Sequence, residues 1–209
     1  MAVGRLQSPL ITPTAAQSVD ATPRNIRGAY QIVSGFPIGA GGTSSAAGSS
    51  VYVLQTPLSG GAGRWVVQSF SLRLIGLAAP STAYEMIFNL NVRTFTALST
   101  GGDGTFIVRK RTGDPTSTLA LSLQGTTAIT LGTNTALGAV ASTDAFFTAS
   151  LSNGDIIFDD YLIGPPGAGR IPFILGNGEG LELQNVSGVR NGSTVKLGIM
   201  VELFEVTAW

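Results

Sequence analysis

The chain has no cysteine and no histidine. Without cysteine it has neither disulfides nor a thiolate zinc site. Without histidine it lacks the commonest metal ligand and the usual general base near neutral pH, so Ser-His-Asp and Cys-His catalytic arrangements are excluded. Charge is scarce too. Charged residues are 11 % of the chain, against about 25 % in an ordinary soluble domain. Twelve basic and twelve acidic residues cancel, which removes the electrostatic footprint of a protein that wraps nucleic acid. Long apolar runs are also missing: mean hydropathy is +0.32, yet no stretch approaches the roughly 20 residues of a membrane helix. The opening "MAVGRLQSPLITP" has one arginine and no continuous apolar core, so a secretory leader is not expected. The apolar excess therefore points to surface covered by other protein chains.

At 209 residues the chain is long enough to bury a core without staples. Residues 1–27 hold three prolines, several Ser and Thr, and no alternation; they read as an extended arm, with residues 28–209 as one domain. From residue 28 the apolar pattern has period two, the mark of half-buried strands. Tyr30 and Ile32 share one face, and so do Val51 and Val53. Val66, Phe70, Leu72 and Leu74 oppose Ser69, Ser71 and Arg73. Tyr84, Met86, Phe88, Leu90 and Val92 oppose Glu85, Asn89, Asn91 and Arg93. These two long strands are expected at the centre of the core. Residues 37–50 and 99–104, rich in Gly and Ser, read as exposed loops.

Residues 104–123 read as a hairpin turning at "TGDP", with Phe106 and Val108 on one arm and Leu119, Leu121 and Leu123 on the other. Residues 126–133 and 155–164 are further strand candidates. In "STDAFFTASLSNGD" (142–155), Ser142, Thr143 or Asp144 could cap a short helix carrying Phe147 and Leu151 at i, i+4. The closing pair is "LELQNV" and "STVKLGIMVELFEV". Ten to twelve strands with frequent turn signals predict an all-β fold: a single antiparallel β-sandwich, jelly-roll-like, with the arm and at most one or two short helices.

Candidate chemistry is thin. Asp155, Asp159 and Asp160, and again Glu179 and Glu182, cluster in sequence. Paired carboxylates can hydrolyse glycosides and oxygen-rich loops can hold calcium. Neighbouring Asp159 and Asp160 point to opposite strand faces, however, and no Asp-x-Asp-x-Asp-Gly loop occurs, so solvated strand-end carboxylates are expected. The glycine-rich stretches 39–42, 101–104, 164–169 and 176–180 lack the following helix that a phosphate loop needs and read as turns. The run Arg109-Lys110-Arg111 reads as a solvated strand edge, and Trp65 and Trp209 as core or interface anchors. The sequons at Asn185 and Asn191 are too short to argue glycosylation.

The closing segment carries a resemblance. Gly178, Glu179, Gly180, Leu181, Leu183 and Asn185, followed by Val201, Glu202, Phe204, Glu205 and Val206, resemble the terminal strand pair of small tailed-bacteriophage virion proteins. The resemblance covers about the last 40 residues, and its motif is structural rather than catalytic. It implies a non-enzymatic particle component such as a capsid decoration (cement) protein, with no cofactor or metal. Such a protein would be a homo-oligomer, a trimer first of all, bound to the major capsid protein or other virion proteins on the outside of a particle assembled in the host cytoplasm. No nucleic acid or membrane partner is expected.

In the closing strand, Val195, Leu197, Ile199, Val201 and Leu203 form one face, and Lys196, Gly198, Met200, Glu202 and Phe204 a second, half-apolar one. With the arm, this places subunit contacts at Leu6, Leu10, Ile11, Met200, Phe204 and Trp209. Three alternatives stand beside this reading. A tail-spike, collar or fibre subunit would bind a host glycan through Tyr52, Trp65 and Tyr84. A depolymerase would use Glu179 or Asp159. A major capsid protein would be unusual with so little basic charge.

Overall fold

The computed structural model describes residues 26–39, 46–60, 63–78, 84–147, 173–189 and 194–206. These form eleven strands and no helix: β1 (Ile26–Gly39), β2 (Ser49–Gln55), β3 (Arg64–Ala78), β4 (Tyr84–Phe95), β5 (Thr100–Gly104), β6 (Phe106–Arg109), β7 (Leu121–Thr130), β8 (Asn134–Phe147), β9 (Phe173–Leu175), β10 (Glu179–Asn185) and β11 (Thr194–Val206).

Two antiparallel sheets result, one ordered β6-β1-β11-β3-β9 and the other β5-β7-β2-β10-β4-β8. The pairing is nested: β1 lies on β11, β2 on β10, β3 on β9 and β4 on β8. The first half of the chain thus forms a long antiparallel ribbon with the second half. Rolling that ribbon so that successive strands alternate between sheets gives the jelly-roll order. The sandwich expectation holds, and its topology is nested as a jelly roll requires.

Alternation supplies the core. Val195, Leu197, Ile199, Val201 and Leu203 of β11 are all buried against Met86, Phe88 and Leu90 of β4 and their neighbours in the same cluster. Tyr52 and Phe70, one from each sheet, meet edge to face with ring centroids 5.9 Å apart, an arrangement worth about 0.5–1.5 kcal/mol beyond its burial.

Two bulges change which residues face inward. Between Val67 and Ser69 the register with β11 slips by one residue, so Trp65 and Val67 join Phe70 and Leu72 in the core. Val66, expected beside Phe70, instead packs with Ala29, Phe204 and Val206 in a satellite cluster. A second slip at Val51 places Val51 in the core with Tyr52 and Leu54, whereas Val53 pairs with Glu182 on the opposite face. A bulge opposes two residues to one, so strict parity fails across it.

Other expectations are corrected. Strand β1 begins at Ile26, inside the segment read as an arm, and continues through Gly39, so 37–39 are strand rather than loop. Residues 49–50 open β2, and 100–104 form β5 rather than a loop. Residues 142–147 belong to β8, where a helix was considered. The hairpin expected over 104–123 is not formed: β6 pairs with β1 in one sheet, and β7 with β2 and β5 in the other. The segment β5–β7 is therefore an insertion between β4 and β8 that caps the β1 edge of one sheet and the β2 edge of the other. Residues 1–25, 148–172 and 207–209, with the strand expected at 155–164, lie outside the described residues.

Candidate interaction surface

The insertion decides what the five-stranded sheet shows to solvent. In β6, Ile107 packs on the core, so its neighbours Phe106 and Val108 face outward and are 85 % and 53 % exposed. The register aligns Phe106 with Val33, and Val33 in turn with Met200 and Met200 with Ser71. One row thus runs across four strands, with Val33 55 % exposed. The adjacent row is Val108, Gln31, Glu202 and Ser69. On the other side, Gly35 pairs with Gly198, and the side chain of Ile75 lies across both glycines, 42 % exposed.

This face is apolar at its middle and electrically neutral at its margin. Gln31 Nε2 approaches Met200 Sδ at 3.1 Å, and Lys110 Nζ pairs with Glu202 Oε1 at 2.5 Å. Ser71, at the β3 end of the central row, is buried, so the exposed part spans three strands about 4.8 Å apart and three same-face rows about 6.7 Å apart, a footprint on the order of 300 Å². Patches of that size on a monomer are often functional.

The six-stranded sheet buries charge on its outer face. Glu182 has no solvent exposure and pairs with Arg93 Nε at 2.5 Å. Asn91 Nδ2 donates to it at 3.0 Å and Ser50 Oγ donates to its other oxygen. Arg93 in turn donates to Asn134 Oδ1 at 2.7 Å. The network crosses β2, β10, β4 and β8, and it satisfies a carboxylate that would otherwise be costly to bury.

A third polar site straps the insertion to the end of the sandwich. The backbone N–H of Ala29 donates to Asp114 Oδ2 at 3.0 Å, and Tyr30 OH donates to Pro115 O at 3.0 Å. Glu205 accepts from Ser117 Oγ and Thr118 N, both at 2.6 Å, and from Thr118 Oγ1 at 3.0 Å. Burial, with the Glu205 carboxylate nearby, pushes the Tyr30 phenol up to about 12. Burial alone would raise Asp114, but the Ala29 N–H and the Arg111 guanidinium outweigh it and hold that carboxyl below its ordinary value. Desolvation raises the Tyr52 phenol despite its hydrogen bond with Ser122.

Of the residues expected at subunit contacts, Met200 lies on the exposed face in the row of Phe106 and Val33. Phe204 is buried in this chain's own satellite cluster. Leu6, Leu10, Ile11 and Trp209 lie outside the described residues. Tyr52 and Trp65 are core residues and cannot line a surface glycan patch; Tyr84 begins β4.

Glu182 is a buried ion-pair member rather than a solvated strand end, and Glu179 accepts the backbone N–H of Gly176 at 2.6 Å. Asp155, Asp159 and Asp160 lie outside the described residues. Arg109, Lys110 and Arg111 do sit at the end of edge strand β6, each engaged with an acceptor of this chain.

Leu121 and Leu123, read as one arm of the hairpin, flank the inward-facing Ser122, whose Oγ meets Tyr52 OH at 2.8 Å, so they face away from the core. Phe106 and Val108 were missed as surface residues because "FIV" is apolar on both faces and its parity is undecidable locally. The Glu182 network had one visible signal, the matching polar positions Asn89, Asn91 and Arg93 along β4.

No known protein family, no curated protein and no solved structure matches the chain.

Proposed function

We propose that this chain is a non-enzymatic structural protein of a bacteriophage virion, acting on the outside of the particle as a capsid decoration or cement subunit. The observation that carries this reading is the outer face of the five-stranded sheet, with Phe106, Val33, Val108 and Ile75 exposed in adjacent rows on a chain with so few charges. A monomer that stayed alone in water would gain by making that face polar. A subunit that is covered on assembly would not.

Two such faces together would bury on the order of 600 Å², short of the roughly 1,200–2,000 Å² of a stable binary complex. The face therefore supplies part of a larger contact set, as in a subunit held by several neighbours in a homo-oligomer on a lattice. The balanced charge favours contact with protein over contact with packaged nucleic acid.

The nested jelly roll favours a second reading, a subunit of the capsid shell itself, since viral capsid domains use this architecture. Fold alone does not assign function. An electron cryomicroscopy map of virus particles purified from cells that produce the chain separates the two. Density outside the shell, bridging its subunits, supports decoration; density forming the shell supports the second reading. Particles that lack the chain altogether overturn both.

A further inference from the structure

Between β6 and Leu119 the chain crosses the end of the sandwich as a strap, residues 110–118, without regular structure. Its sequence "KRTGDPTST" has one apolar side chain, Pro115, and residues 110–113 and Thr116 are exposed. Apolar burial therefore does little to hold it down, the mark of a segment that opens locally. Hydrogen bonds hold it instead, and two buried carboxylates accept most of them. Asp114 Oδ2 takes the N–H of Ala29 at 3.0 Å. Glu205 takes Ser117 Oγ and Thr118 N at 2.6 Å and Thr118 Oγ1 at 3.0 Å. The neutral ties are Tyr30 OH to Pro115 O and Lys110 N–H to Ala29 O.

Charge around the strap is close to balanced only while both carboxyls are ionised. Arg27 and Tyr30 face them from β1, Arg64 from β3, and Arg109 from β6, where it also donates to Thr116. Arg111 pairs with Asp114 from within the strap at 2.9 Å. Glu179 of β10 lies near Arg64, and Lys110 is paired with Glu202. Protonating Asp114 and Glu205 turns charge-assisted bonds into weaker neutral ones and leaves the guanidiniums to repel one another. Burial works to raise the Asp114 carboxyl, but the Ala29 N–H and Arg111 outweigh it and hold the group below its ordinary value. Closure is therefore favoured above the free carboxyl value, about 3.9, and loses that support as pH falls through the folded one. A cavity of about 180 Å³ beside Glu205 and Thr118 gives room for water to take over the broken bonds.

We infer that residues 110–118 are an acid-released latch, closed while Asp114 and Glu205 are ionised and opening as a local unit, with the sandwich still folded, when they are protonated. Strand β6 is an edge strand paired with β1 alone and runs straight into the latch. Opening frays β6 from its Arg109 end and loosens Val108 and Phe106 on the assembly face. This consequence rests on the proposed role of that face; the latch does not.

Amide exchange, followed residue by residue by NMR and corrected for the intrinsic pH dependence, tests the latch. Protection of Ala29 and Thr118 is expected to fall at least tenfold between about pH 6 and about pH 3, while Phe95 and Val186, bonded across the other sheet, keep theirs. Glu205→Gln is expected to give a loss of similar size already at about pH 6. Arg111→Gln, at a half-exposed site, removes the cation that favours ionised Asp114, so its opening midpoint is expected to move to higher pH. No fall, a fall shared equally by Phe95 and Val186, or an unmoved midpoint in Arg111→Gln would overturn the latch. Sedimentation over the same pH range tests the link to assembly: dispersal is expected at the opening midpoint and is expected to move with it in Arg111→Gln. An open latch with association unchanged would overturn that link. A parent that associates at neither pH would count against the proposed face and not against the latch, which the exchange pattern decides.

Discussion

Glu182 and Arg93 form an ion pair on the outer face of the six-stranded sheet, Nε to Oε2 at 2.5 Å, with the carboxylate wholly excluded from solvent. Removing the cation leaves a buried charge uncompensated, at a cost of about 3–5 kcal/mol. Arg93→Ala is therefore expected to lower unfolding stability by that amount in chemical denaturation. Glu182→Gln, which keeps the shape and drops the charge, is expected to cost less than Arg93→Ala. Equal losses in the two variants would mean that packing rather than charge governs the site.

Asp114 ties the insertion to β1 through the N–H of Ala29. Its carboxyl is held below the ordinary value in the folded chain. A depressed folded pKa gives stability that is present above the unfolded value, near 3.9, and lost as pH falls through the folded one. Stability is expected to decline as pH drops below about 4, and Asp114→Asn to flatten that decline while costing about 1–3 kcal/mol at neutral pH. At the alkaline end, Tyr30 is raised to about 12. Its contribution is complete below pH ~10 and fades as pH rises through the folded value. Tyr30→Phe should remove this alkaline dependence. Denaturation midpoints across pH for the three proteins check both limbs.

Gly180 sits where β10 passes β2 too closely for a side chain: an added Cβ would lie 2.3 Å from Leu54 O and 2.9 Å from Phe95 Cε2. Gly180→Ala is expected to destabilise by about 1–3 kcal/mol through overpacking. Gly104→Ala, with nothing within 4 Å of the added atom, is expected to stay within about 0.5 kcal/mol of the parent. Thermal unfolding of the two variants tests the contrast.

Much of the fold was legible wherever alternation was unbroken. Met86, Phe88 and Leu90 in β4 and the odd positions 195–203 in β11 face the core as their pattern predicts. Parity failed at Val66 and Val53 because single-residue slips beside them are set by pairing with distant strands. The hairpin reading of 104–123 failed for a related reason. Two apolar strands with a turn between them carry no mark of which sheet each will join, and here β6 and β7 join different ones. The exposed face was half legible. Met200 was placed from β11 alone, but its row neighbours Val33 and Phe106 come from two other strands, whose alignment only the folded register supplies.

The face itself can be altered without touching the core. Phe106 and Val33 are mostly exposed, so Phe106→Ser with Val33→Ser is expected to change unfolding stability by no more than about 1 kcal/mol in total. A larger loss would mean that these side chains already have cover within the chain.

The most direct measurement is sedimentation velocity over a wide concentration range, comparing the parent with the Phe106→Ser, Val33→Ser double variant. The account predicts that the parent forms larger species as concentration rises and that the variant needs at least tenfold more protein to do so. A parent that stays monomeric throughout, or a variant that associates identically, would contradict the claim that this sheet face is an assembly contact.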